Sequence, residues 1–229
     1  LDFPSFNTLH TKPLSSQPDK HLLALIPLKY CALLKIAGLF GILIPAIAFS
    51  FISIAIALYQ PFNWSNNALS DLGVVNGLTS GLFNSGLIIA GVWALVFMVG
   101  LLIKFNKNLL GQVSAFVFAL ACLSLIAIGI FPESVVPTHY LVSVAFFVFL
   151  PISLFIVTAA FVVVHKIRMA VFTIVIAFAS ALPWILYFAL YYAPNVAIPE
   201  FVSGLAGSAW IVVIGYQMIK EAAAKPENT

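Results

Sequence analysis

The chain predicts an all-α fold: an integral membrane bundle of six transmembrane helices with both termini cytoplasmic. Three observations lead there. Hydrophobic residues make up 63% of the sequence and charged residues 7%, against roughly 45–50% and about 25% in soluble domains. The bilayer must therefore be the solvent for most of these side chains. Six apolar runs also reach the roughly twenty residues that a spanning helix needs. Finally, all ten Lys and Arg residues fall on one side of the alternating runs, and the three connections on the other side each hold one acid (Asp71, Glu133, Glu200) and no base. Basic residues near helix ends resist translocation and stay cytoplasmic, so the acidic connections face outward.

The elements follow in order. The first thirty residues carry Pro4, Pro13, Pro18 and Pro27 among polar residues. The apolar run after them is far longer than a signal-peptide core, so residues 1–32 read as a cytoplasmic tail. Within it, His21 to Tyr30 suits the membrane interface, because Leu22, Leu23, Leu25 and Ile26 are flanked by Lys20 and Lys29. The transmembrane domain is 33–219 and a second tail is 220–229. The spans are Leu33–Tyr59, Leu78–Ile103, Gly111–Phe131, Tyr140–Val164, Met169–Ala193 and Phe201–Ile219. Pro45, Pro151 and Pro183 lie inside the first, fourth and fifth, each removing a backbone donor. Gly81, Ser85, Gly86, Ala90 and Gly91 in the second span, and Ser203, Gly204, Gly207 and Ser208 in the sixth, form small-residue faces. Such faces allow close packing, within the bundle or against membrane-protein partners.

A net charge of +3 confined to the inner loops does not suit nucleic acid binding. Cys31 and Cys122 lie in or near spans without metal-binding spacing, which makes them small buried hydrophobes. Tyr59, Phe62, Trp64, Phe131, Tyr140, Tyr191, Tyr192 and Phe201 flank the outer helix ends as an interfacial aromatic belt.

Chemistry is concentrated in the outward connections. The first, Gln60 to Gly77, carries Asn63, Ser65, Asn66, Asn67, Ser70, Asp71 and Asn76. Part of it suits a short helical turn capped by Asn67 or Ser65 and ended by Gly73, with Asp71 oriented by local amides. The second presents Glu133 and His139, the sole outward histidine, between stiffening prolines. The third places Glu200 at the start of the sixth span, where the helix dipole favours a carboxylate. Asp71, Glu133, His139 and Glu200 supply ligand types for a divalent cation. Ser70, His139 and an acid could instead make a nucleophile-and-base set. In both cases a structural role in pinning loops explains the same residues. Trp184, Tyr187 and Tyr191 share a face of the fifth span and suit packing or the wall of a lipid groove. Asn84 suits a hydrogen bond across helices.

The segments Asn67-Ala68-Leu69-Ser70-Asp71-Leu72-Gly73 and Gly129-Ile130-Phe131-Pro132-Glu133, followed by His139, resemble the membrane family called domain of unknown function 998. Its bacterial and archaeal members typically have six helices, a Ser-Asp-Leu-Gly signature after the first and a Gly-Xaa-Phe-Pro signature followed by His. The resemblance covers roughly Leu33 to Ile219. It singles out Ser70, Asp71, Gly73, Phe131, Pro132 and His139, and it implies no activity. A distant likeness links the chain to the adiponectin-receptor and alkaline-ceramidase superfamily of zinc hydrolases, but this chain has six helices and one suitable histidine.

Two functional readings follow. One is a cell-membrane, multi-pass, lipid-interacting protein or lipid-modifying hydrolase using Asp71 and His139 with help from Ser70 and Glu133. There His139 serves as base or metal ligand and Asp71 orients it. The other is a non-catalytic accessory or scaffold subunit. Transport ranks below both, because no ionisable residue lies deep in a span.

Overall fold

Six helices form in the order the apolar runs require, and each ends where polar or helix-breaking residues begin. The computed structural model describes residues 20–224, with side chains from residue 29 onward. Among the described residues, α1 spans Lys20–Leu58, a 3-10 turn Ser70–Val74, α2 Leu78–Lys104, α3 Leu109–Ile130, α4 Thr138–Val163, α5 Ile167–Leu190 and α6 Ala197–Ala224. Six of these are long and apolar enough to cross a membrane. Each helix packs on its chain neighbours and α6 closes back on α1, giving a ring. Short connections dictate this antiparallel order.

Four boundaries differ from the sequence reading. The segment assigned to the interface, His21 to Tyr30, continues α1 as helix from Lys20. At its N-terminal end, α6 starts at Ala197 rather than Phe201, because Pro199 falls in the first turn, where its missing N–H costs nothing. It also runs on to Ala224, past the expected end at Ile219, and Glu221 in that extension pairs with the buried Lys104 of α2. Lys166, in the turn before α5, lies 3.9 Å from the same carboxylate. At its other end α5 stops at Leu190, where Tyr191 takes a left-handed conformation and caps the helix.

The centre of the ring is aromatic. Phe97 of α2, Phe118 of α3 and Trp210 of α6 meet with ring centroids 5.9–6.1 Å apart. The Trp210 indole N–H donates to the Thr173 hydroxyl of α5 at 3.2 Å, so no buried donor is orphaned there. Buried hydroxyls cross between helices as well: Ser114 donates to the Ser153 carbonyl and Ser203 to the Ser180 carbonyl.

The small residues are largely occupied inside the bundle. A Cβ at Gly86 would lie 2.5 Å from Phe51, one at Gly91 2.5 Å from Ile126, and one at Gly207 3.0 Å from Leu150. A close approach of backbone to backbone is one the sequence reading did not single out. Gly38 of α1 and Gly215 of α6 face each other so closely that a Cβ on either would sit 2.5 or 2.7 Å from the other's carbonyl oxygen. Gly81, by contrast, has nothing within 4 Å of an added Cβ. Replacing Gly38 with Ala should lower stability by about 1–3 kcal/mol, since backbone cannot yield as a side chain can. Gly81→Ala should stay within about 0.5 kcal/mol of the parent. Thermal unfolding in matched detergent micelles distinguishes the two; equal melting points would disprove the seam.

Candidate functional site

The three acid-bearing connections converge at one end of the ring. The Asn63 side chain accepts from the backbone amides of Ser65 and Asn66, at 2.9 and 3.1 Å, and the Asn63 backbone amide donates to Asn67 Oδ1. That local turn delivers the chain to the 3-10 turn at Ser70, which has no side-chain cap and contains Gly73 rather than ending on it. Asn67 instead donates to Asp71 Oδ2 at 2.6 Å, and the Ala68 amide donates to the same oxygen at 3.1 Å. Asp71 is thus held by local amides. Gly73 is required by close approach: its carbonyl accepts from Asn84 Nδ2 of α2 at 3.0 Å, and a Cβ would lie 2.6 Å from Asn84 Oδ1.

The other connections are tied to this one. The Leu69 amide donates to Glu200 Oε2 of α6 at 2.6 Å. Backbone amides of Asn195 and Ala197 donate to the carbonyls of Ser65 and Asn67. An edge-to-face chain of rings runs from Phe62 through Trp64 and Phe201 to Phe49 of α1, with centroids 5.1–5.3 Å apart. The Glu133 carboxyl lies close enough to that of Asp71 to interact with it, which brings in the second connection.

His139, in the first turn of α4, is buried and not oriented by Asp71, as the sequence reading had it. Its Nδ1 lies 2.7 Å from the Phe131 carbonyl oxygen. A carbonyl can only accept, so Nδ1 carries a proton, and it is Nε2 that bears the lone pair in the neutral form of the ring. Ser143, one turn further along α4, places its hydroxyl 3.4 Å from Nε2. The sequence reading missed Ser143, although the spacing of four on a helix was a usable signal. The four expected metal ligands do not form one set. Among the described residues, no three His, Cys, Asp or Glu side chains are arranged to hold a metal ion.

Two cavities meet here. A groove of about 520 Å³ between α4 and α5 is lined by Ser70, Glu133, His139, Ser143 and Glu200 at its polar mouth, and by Phe147, Trp184, Tyr187 and Phe188 along its wall. Its volume falls within the roughly 300–1,000 Å³ of ligand pockets. A deeper apolar cavity of about 130 Å³ reaches Phe118 and Leu150 in the bundle and shares Ser70, Ser143, Phe147 and Glu200 with the groove. Trp184 packs on Phe147 with centroids 4.6 Å apart, and its buried indole nitrogen has no hydrogen-bond partner. Tyr191, expected in the same wall, is the exposed cap of α5 and lies outside it. Asp71 also stands behind the mouth rather than in it.

Fold and site together define a polytopic membrane protein with a polar-mouthed groove at the acidic end of a six-helix ring. Residues 42–217, more than half of the chain, match the family described as Protein of unknown function (DUF998). The chain belongs to that family, as its Ser-Asp-Leu-Gly and Gly-Ile-Phe-Pro segments led us to expect. Among curated proteins and among solved structures, nothing matches.

The carboxylates carry a pH signature. Burial, then the neighbouring Asp71 carboxyl and its charge, push the Glu133 carboxyl from an ordinary 4.5 up to about 7. Between those values the folded protein holds more protons than the unfolded chain, so stability falls as pH rises. The contribution is complete below about pH 4.5 and gone above about pH 7. Melting temperatures of wild type and Glu133→Gln across that window should therefore diverge, with the wild type losing stability as pH climbs and the variant flatter. Parallel curves would show that Glu133 does not titrate in this window.

Proposed function

We propose that this protein binds an amphiphilic lipid in the groove between α4 and α5, with the head at the acidic mouth and the chain against the aromatic wall. The observation that carries this reading is that the polar-mouthed groove and the apolar cavity lie side by side, with Ser70, Ser143, Phe147 and Glu200 in the walls of both. Tyr140, Val144, Val148 and Phe188, which line the groove, are also exposed on the membrane-facing surface. Lipid can then enter from the side.

The head is of the hydrogen-bond-donating or cationic kind. Asp71, Glu133 and Glu200 lie at this end, whereas among the residues whose side chains are described every Lys and Arg lies toward the other. The 27 residues of α2 separate the two ends by about 40 Å, beyond the Debye length of roughly 8 Å at physiological salt. An ammonium would pair with the carboxyls of the mouth, displacing the proton that burial holds on Glu133, and would lie near the faces of Trp184 and Tyr187, whereas a phosphate would find no basic side chain in the lining of the groove. Both termini are cytoplasmic in this reading and the acidic end is outward, supported by the charge asymmetry. A scaffold role through the small faces of α2 and α6 has less support, because Gly86, Gly91 and Gly207 are covered within the chain.

Two measurements test this. A brominated long-chain primary amine should quench Trp184 saturably, and a brominated alkyl phosphate of equal length should bind about tenfold more weakly or worse, a gap of about 1.4 kcal/mol. The quenching should vanish in Trp184→Phe and weaken about tenfold in Glu200→Gln, the loss expected of a charge-assisted hydrogen bond. Quenching unaffected by these changes would reject the groove as the site. Separately, a C-terminal tag should be protected from impermeant reagents in intact cells, and labelling there would reverse the orientation.

A further inference from the structure

We propose that Ser143 is an acyl-transfer nucleophile activated by His139, and that the substrate is a long-chain ester. The inference rests on the groove binding an amphiphile, and it adds a reaction to that binding. The tautomer is set by the Phe131 carbonyl, 2.7 Å from Nδ1, which leaves the Nε2 lone pair facing the Ser143 hydroxyl at 3.4 Å. A base oriented by a third group and reaching a hydroxyl is the arrangement that nucleophilic catalysis needs, and such contacts are often long before substrate binds. Ser70 shares both cavities, but it is the Ser143 hydroxyl that reaches Nε2.

Position selects the substrate. Ser143 lies on the wall of both cavities, at their junction. An acyl chain in the 130 Å³ apolar cavity and a head beside Glu133 and Glu200 would carry the ester carbonyl past this hydroxyl. Trp184, in the groove wall, has an indole N–H without a protein partner, and a carbonyl oxygen would supply one.

The steps balance. Ser143 Oγ bonds to the ester carbonyl carbon as its proton passes to Nε2. The bond to the alcohol oxygen then breaks, and that oxygen takes the proton from Nε2, leaving acyl-Ser143. Water gives its proton to Nε2 and attacks the acyl carbon; the bond to Ser143 breaks, Oγ recovers the proton, and a carboxylic acid leaves. Ester and water become alcohol and acid.

The test uses the full-length protein in lipid nanodiscs and a long-chain alkyl fluorophosphonate, with peptide mass spectrometry to locate the adduct. The expected adduct is on Ser143, absent in Ser143→Ala, retained in Ser70→Ala, and formed on the order of 100-fold more slowly in His139→Gln. Trp184 quenching by the brominated amine, measured on the same samples, reports whether each variant keeps its groove. Quenching intact without an adduct on Ser143, or labelling indifferent to His139, overturns the acyl-transfer proposal and leaves the groove standing. Wild-type protein with neither quenching nor adduct overturns both.

Discussion

The hydrogen bond from the Leu69 amide to the Glu200 carboxylate organises the acidic end of this bundle. A polar connection beside a bilayer cannot leave its backbone groups unpaired, and the Gln60–Gly77 segment meets that constraint by borrowing acceptors from elsewhere. Glu200 supplies one from the first turn of α6, Asn63 and Asp71 supply others from within the segment, and the Ser65 and Asn67 carbonyls return the favour to the chain before α6. Once the segment is fixed, Ser70 lies on the roof of both cavities and Glu133 meets Asp71. The site is therefore a by-product of satisfying amides at a membrane surface, and the same carboxylate both holds the loop and lines the groove.

Much of the fold was legible in the sequence because its signals are long and redundant. Six apolar runs, separated by short polar connections, determine the number of helices and their neighbours without any knowledge of packing. The boundaries were less legible where local composition and tertiary contact compete. Ile219 looked like the end of α6 because Lys220 and Glu221 follow, yet a buried partner, Lys104, draws Glu221 into another turn and more of helix. The Gly38–Gly215 contact was invisible for a similar reason: isolated glycines reveal a seam only when the facing helix is known.

The site was partly legible. Gathering Asp71, Glu133, His139 and Glu200 at one end followed from topology alone, since outward connections of one bundle must share a surface. Which group touches which did not follow. His139 pairs with a backbone carbonyl, and a backbone carbonyl carries no residue identity to read. Asp71 looked like the partner of His139 by residue type, but it is engaged by Asn67 and Ala68 four and three residues away. Of the aromatic face, Trp184 and Tyr187 take their places in the groove wall, whereas Tyr191 is turned out by the left-handed backbone that ends α5.

Tyr140, Val144 and Val148 form one exposed stripe along α4 at the rim of the groove. In the lipid-binding reading proposed above, a mouth flanked by such a stripe would sample molecules dissolved in hydrocarbon rather than in water. Occupancy would then follow the mole fraction of the guest in the surrounding leaflet, and adding empty vesicles at constant total guest would dilute it. A poorly soluble molecule reaching this site would be concentrated first by partitioning, so modest intrinsic contacts suffice for high loading.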